Sequence, residues 1–465
     1  MKNYIKYIFA FVCITMVSAC QKYVDIKKSG SQSFIETTND IQLILDNYDL
    51  FNVNYPLDGE ISADDYYMDD NRYNSDVIQA EDKALYIWQP TAIRASATAW
   101  VASYNKIYHC NLILEALDKL QPTDPPAVVN NLRGSALFLR AYALWPLAQI
   151  YIKPYSDANL QEPGLPIHTK SDINDVPGRG TVKQTYDAII KDLGEAAGLL
   201  NAASSIASRP NKAAAYAMLA RVYLSMGDYP NALASADAAL KIKNDLINFN
   251  TLNPDSYNPF PRFNKEVIFH SVIDQQNSVL EVGYGDEDKA LIAPEIVNAY
   301  QDNDLRKQLY VKENLDVPDP SGTYRFIGNY EGAVGSAALF NGLAVDELYL
   351  IRAECYARAN QTASAVSDMN KLLVTRWSTG TYPGFSAGNA DDALTEILLE
   401  RRKELLMRGL RWTDLRRLNM ENRFAKTLAR SVNGRAYTLP ANDPRYTLLI
   451  PQEVITFSKL PQNIR

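Results

Sequence analysis

Residues 211–241, NKAAAYAMLARVYLSMGDYPNALASADAALK, constrain this chain more than any other stretch. Tyr216, Leu219, Ala220 and Tyr223 fall three or four positions apart, on one face of a helix. Gly227-Asp228-Tyr229 then supplies a turn, and Ala232 and Ala239 mark a second helix returning beside the first. Small alanines on facing surfaces let two helices approach closely. A strand cannot use this pattern, because its side chains alternate with period two.

The offsets are those of a tetratricopeptide repeat. A second copy is readable in DELYLIRAECYARANQTASAVSDMNKLL, where Tyr349, Ala353, Tyr356, Ala365 and Leu372 take the corresponding places. Tyr216 and Tyr349 lie 133 residues apart, far beyond the repeat period of about 34 residues. An insertion at roughly 243–341, rich in Asn, Pro, Asp, Tyr and Gly, therefore separates the copies. Within it, EVIFHSVI at 266–273 reads as a strand. Upstream, Ala97–Leu120 and Val128–Tyr151 carry helical periodicity; Pro146 should kink the second, and Thr181 should cap a helix over Val182–Leu200. The expected class is mostly α, with helix pairs as scaffold and loops for binding.

The first residues are not fold material. MKNYIKYIFAFVCITMVSAC has two lysines, an apolar run too short to span a membrane in the ordinary way, and small residues before Cys20. Residues 1–19 read as a secretory signal, and 20–37 as a tether preceding a single domain over 38–465. Val17-Ser18-Ala19-Cys20 has the form of a lipobox, so Cys20 is the expected lipidation site. Cys110 and Cys355 are the other mature cysteines and read as small buried residues.

A net charge of −7 argues against nucleic acid as a partner. Three scattered histidines and no CxxC or HExxH give no transition-metal site, and no cofactor motif is present. Catalysis has few candidates. In LLERRKELLMRGLRWTDLRRLN, 398–419, Glu400 and Glu404 stand among Arg401, Arg402, Arg408 and Arg411. Guanidiniums hold carboxylates ionised, so this cluster reads as a structural ion-pair network and not as an acid–base pair.

The ordered set of motifs resembles the SusD/RagB family of outer-membrane lipoproteins. ERRKELLMRGLRWTDLRR resembles its C-terminal signature, and LRGSALFLRAYALWPLAQIY at 132–151 resembles its FLRAYAYF helix. Trp100, Tyr104, Ile107 and Asn111 match a W-x3-Y-x2-I-x3-N pattern, and the tail IPQEVITFSKLPQNI at 450–464 matches the closing segment. There, Phe457-Ser458 replaces the usual Asn-Pro. The resemblance implies repeat helix pairs in a right-handed scaffold, a loop-rich binding half and a few short strands. It also implies an outer-membrane, outward-facing, non-catalytic glycan-binding lipoprotein serving a SusC-like TonB-dependent barrel.

The family's contacts from loops before the Trp100-type helix direct attention to residues 64–88, within and after ISADDYYMDDNRYNSD. Asp65, Tyr67, Asn71, Arg72, Tyr73 and Trp88 are the expected glycan-binding residues: sugars stack on aromatic faces and pair hydroxyls with acids, amides and guanidiniums. Three alternatives accompany this reading. The scaffold could carry peptides; a glycoside hydrolase would need two carboxyls across a cleft; and a calcium loop at 64–73 would lack the EF-hand order, which breaks at Tyr73.

Overall fold

The computed structural model describes residues 35–120, 123–273, 278–280, 290–315, 322–333, 336 and 338–465. The lipobox and Cys20 lie outside the described residues. Nine helices among the described residues carry the scaffold: α1 (Thr98–Lys119), α2 (Pro126–Tyr151), α3 (Val182–Leu199), α4 (Lys212–Met226), α5 (Tyr229–Ile242), α6 (Val345–Arg358), α7 (Thr362–Leu373), α8 (Ala390–Glu404) and α9 (Arg411–Leu418).

Helices α1 to α7 pack in chain order, each against the next, and α8 also packs on α6. The contact between α5 and α6 crosses the whole insertion, so the stack continues as though the insertion were absent. Its ends close on themselves: Val267–Phe269 pairs antiparallel with Leu343–Ala344, and Val272–Ile273 with Leu339–Phe340. The single strand expected at 266–273 is thus two strands, interrupted at His270-Ser271. The remaining sheets are also antiparallel pairs. The architecture is mostly α, as expected.

Local chemistry explains the boundaries. Thr181 and Gln184 form a reciprocal capping box at the start of α3. Asn211 caps α4, and Gly227 ends it at φ 75°, a left-handed conformation that costs glycine no Cβ clash. Asp228 then caps α5. Pro126 opens α2 in the first turn, where its missing N–H costs nothing, so the helix begins two residues before the expected Val128. Pro146 does not break α2, which continues to Tyr151. Ala213, Ala220, Ala232, Ala239, Ala353 and Ala365 are all buried along the stack, as the repeat pattern requires. Because α5 is packed between α4 and α6, Ala239→Leu should overfill its contact and cost about 1–3 kcal/mol. A thermal midpoint within error of the parent would show the helices to be more loosely stacked than this.

The 398–419 cluster is the predicted ion-pair network, and it joins the insertion to the scaffold. Arg306, fully buried, holds Asp304 (2.7 Å), Glu400 (2.7 Å) and Glu404 (2.9 Å). Arg376, also fully buried, spans Glu404 (2.7 Å) and Glu266 (2.9 Å). Further along, Arg401 and Arg417 share Asp414, and Arg417 reaches Glu354. Burial alone would raise Glu404, but Arg376 and Arg306 hold its carboxyl below the usual range. Cys110 and Cys355 are buried and free, and burial pushes both thiols up, away from reactivity.

Candidate ligand-binding site

The stretch 61–76 is less of a surface loop than its composition suggests. It contains the end of a short helix (Asp58–Ser62), a two-residue strand (Tyr66–Tyr67) paired with Leu291–Ile292, and a second short helix (Asp70–Asn74). Three of the six expected binding residues face inward. Asp65 is buried against Arg402 (2.8 Å). Arg72 is buried and paired with Asp69, which also caps the second short helix. Trp88 is buried, donates its indole N–H to the Ser62 carbonyl (2.9 Å), and lies under the Arg430 guanidinium. These three anchor the segment: Asp65 and Trp88 through cationic partners far along the chain, Arg72 through Asp69 three residues before it. Asn71 is exposed, and Tyr67 and Tyr73 are half-buried at the surface. The structure therefore keeps only these three of the six available to a ligand.

Beside this segment lies a polar pocket of about 250 Å³ that no sequence motif announces. Its centre is Arg94, whose guanidinium bridges Asp58 (2.8 Å) and Asp82 (2.7 Å). Tyr151, at the end of α2, donates its hydroxyl to Asp58 (3.2 Å). Burial raises the Asp82 carboxyl, opposed by Arg94; the two carboxylates in turn keep Arg94 firmly charged despite its own burial. Asn54, Gln79 and Ser96 add polar atoms to the wall, and Trp100 closes one side. Carboxylates, a guanidinium, amides and a hydroxyl converge here on one hollow, a donor–acceptor set suited to a polyhydroxylated ligand.

Across Trp100 is a second, contrasting hollow of about 510 Å³. Trp100, Tyr104 and Tyr108 line it from one face of α1, opposite His168 and the 172–177 loop. The Trp100 and Tyr104 rings lie 5.1 Å apart, and Tyr104 and His168 5.4 Å. Ile173 and Phe457 are each 80% exposed at its rim. Phe457 sits in the short helix Gln452–Ser458, which covers the start of α1: Glu453 accepts the Ala97 N–H at 2.8 Å.

Residues 22–224 match a family model described as starch-binding, associating with the outer membrane; residues 346–458 match that of the SusD family. The chain is 27% identical over 347 residues to SusD-like protein P2 of Formosa agariphila, covering 63% of this chain and 66% of that protein. It is 22% identical to SusD-like protein P38 of the same organism, covering 88% and 90%. The chain belongs to the SusD/RagB family. Solved SusD-type structures share its fold. A putative sugar binding protein from Bacteroides vulgatus aligns with a TM-score of 0.73 and 23% identity, over 93% of this chain and 99% of that one. A SusD superfamily protein from Bacteroides thetaiotaomicron aligns with a TM-score of 0.73 and 22% identity, over 92% and 100%. In this SusD/RagB chain, the Asp58, Asp82, Arg94 and Tyr151 cluster lies wholly within the first family match. Phe457, where the closing motif departs from Asn-Pro, lies at the end of the second.

Proposed function

We propose that this protein is a non-catalytic cell-surface lipoprotein, anchored through Cys20, that binds glycans and delivers them to a SusC-like TonB-dependent barrel in the outer membrane. The observation that carries the glycan reading is the polar pocket. Asp58, Asp82 and Arg94 stand ready to pair hydroxyls just ahead of α1. Asp58 and Asp82 share one guanidinium. Both carboxyls are thus engaged by one cation, which suits them to fixing a ligand's hydroxyls.

Binding of the parent to a polysaccharide panel, alongside Gln79→Ala and Tyr73→Ala, tests the reading. Gln79 is exposed at the pocket rim, and loss of one hydrogen bond should weaken binding about five- to tenfold. Unchanged affinity in both variants would move the site elsewhere, and new reducing ends appearing in oligosaccharides would overturn the non-catalytic reading.

Peptide cargo is the second reading, and the apolar hollow favours it, since its walls offer a sugar few hydroxyl partners. Phe457→Ser should then abolish peptide binding while leaving polysaccharide binding intact. A chain that binds no polysaccharide but retains peptides would make this the primary function.

A further inference from the structure

Glu60 is 3% exposed, and among the described residues neither carboxyl oxygen has a hydrogen-bond partner, nor does the buried Trp412 indole N–H. Both line a small cavity of about 30 Å³, together with Tyr142, Gln149, Arg221 and Arg408. That volume is above the 10–15 Å³ or so that one water requires, and the walls are polar.

An ionised Glu60 would be costly at this depth, since the Gly409 N–H nearby makes no well-formed hydrogen bond to it. A bound cation could compensate it, but Arg221 and Arg408 present positive charge in the same wall. Neither arginine is spare for Glu60: Arg221 is paired with Glu347 at 2.6 Å and Arg408 with Asp346 at 2.9 Å. Water together with a neutral carboxylic acid satisfies every group. The acid O–H donates to water, water donates to the carboxyl oxygen, and the Trp412 N–H donates to water. We infer that this cavity is an internal hydration site in which Glu60 remains a neutral acid, bridged by ordered water to the Trp412 indole.

The electrostatic surroundings agree. Burial raises the Glu60 carboxyl most, Asp65 and Asp64 raise it further, and Arg411 and the Gly409 N–H oppose. Arg408 and Arg221 face it from the turn before α9 and from α4, and Asp58 lies two residues before it on its own short helix. A carboxyl raised in the folded state contributes its full stability below the unfolded value of about 4.3. That contribution drains as pH rises through the folded value, because only the unfolded chain ionises freely.

Two experiments test the site. Urea unfolding of the parent and of Glu60→Gln between pH 5 and pH 8 should show the parent's midpoint falling more steeply with pH. Equal slopes would mean that Glu60 is ionised in the folded protein and would overturn the inference. A crystal structure of the parent should place water 2.6–3.2 Å from Glu60 and from the Trp412 nitrogen. A dry cavity, or a cation peak that responds to exchange of potassium for rubidium, would overturn it independently, whether or not the variant folds.

Discussion

Arg306→Ala is expected to lose about 3–5 kcal/mol of stability, the range for breaking a buried charge pair from one side. The substitution strands three carboxylates at once: Asp304, Glu400 and Glu404. The first two keep Lys403 (3.3 and 2.6 Å) and Glu404 keeps Arg376 (2.7 Å), so compensation is partial. Arg306→Lys should rescue little, since one ammonium cannot reproduce a planar fork that reaches three acids. Because the network ties the insertion to α8, hydrogen exchange should rise first around residues 300–310 and only later in α4 and α5. Urea denaturation gives the magnitude. A loss below about 1 kcal/mol, the ordinary worth of a solvated ion pair, would show that water reaches this cluster.

Arg416→Met should cost about 2–4 kcal/mol, for a different reason. Arg416 is buried yet meets no carboxylate among the described residues; its guanidinium donates to the carbonyls of Ala148, Gln149 and Ile152 at the end of α2. Those carbonyls lack helical partners and carry the negative end of the helix dipole. Burial lowers the guanidinium pKa to about 10, which leaves it charged at neutral pH. Methionine fills much of the volume and removes the donors, so the loss reads as unsatisfied backbone and not as a cavity. A thermal midpoint equal to the parent's would mean that water replaces the guanidinium without cost.

These two arginines show where sequence reading succeeds and stops. Both lie in, or pair with, the 398–419 segment, whose alternation of acids and arginines identifies it as an ion-pair network. Yet Glu404 meets Arg306 and Arg376, Arg402 meets Asp65, and Arg416 meets backbone carbonyls instead. Coulomb partners are chosen through space, so spacing along the chain names the type of network and not its pairs. The same limit hides the burial of Asp65 and Trp88, whose partners Arg402 and Arg430 lie far along the chain. Tyrosines and acids in 61–76 look like a solvated loop until Arg402 and Arg430, more than 300 residues later, draw that segment inward.

Sequence by itself determined the helical hairpins, their caps, the interruption between repeats and the family, since these depend on contacts three or four residues apart or on ordered motifs. Tertiary structure decided the candidate binding surfaces. Asp58, Asp82, Arg94 and Tyr151 converge from four segments, and Phe457 reaches the Trp100 groove from the C-terminal tail. A helix repeats its chemistry within a turn and leaves that period in the sequence. A pocket is made where distant segments stop, and nothing in their spacing records the meeting.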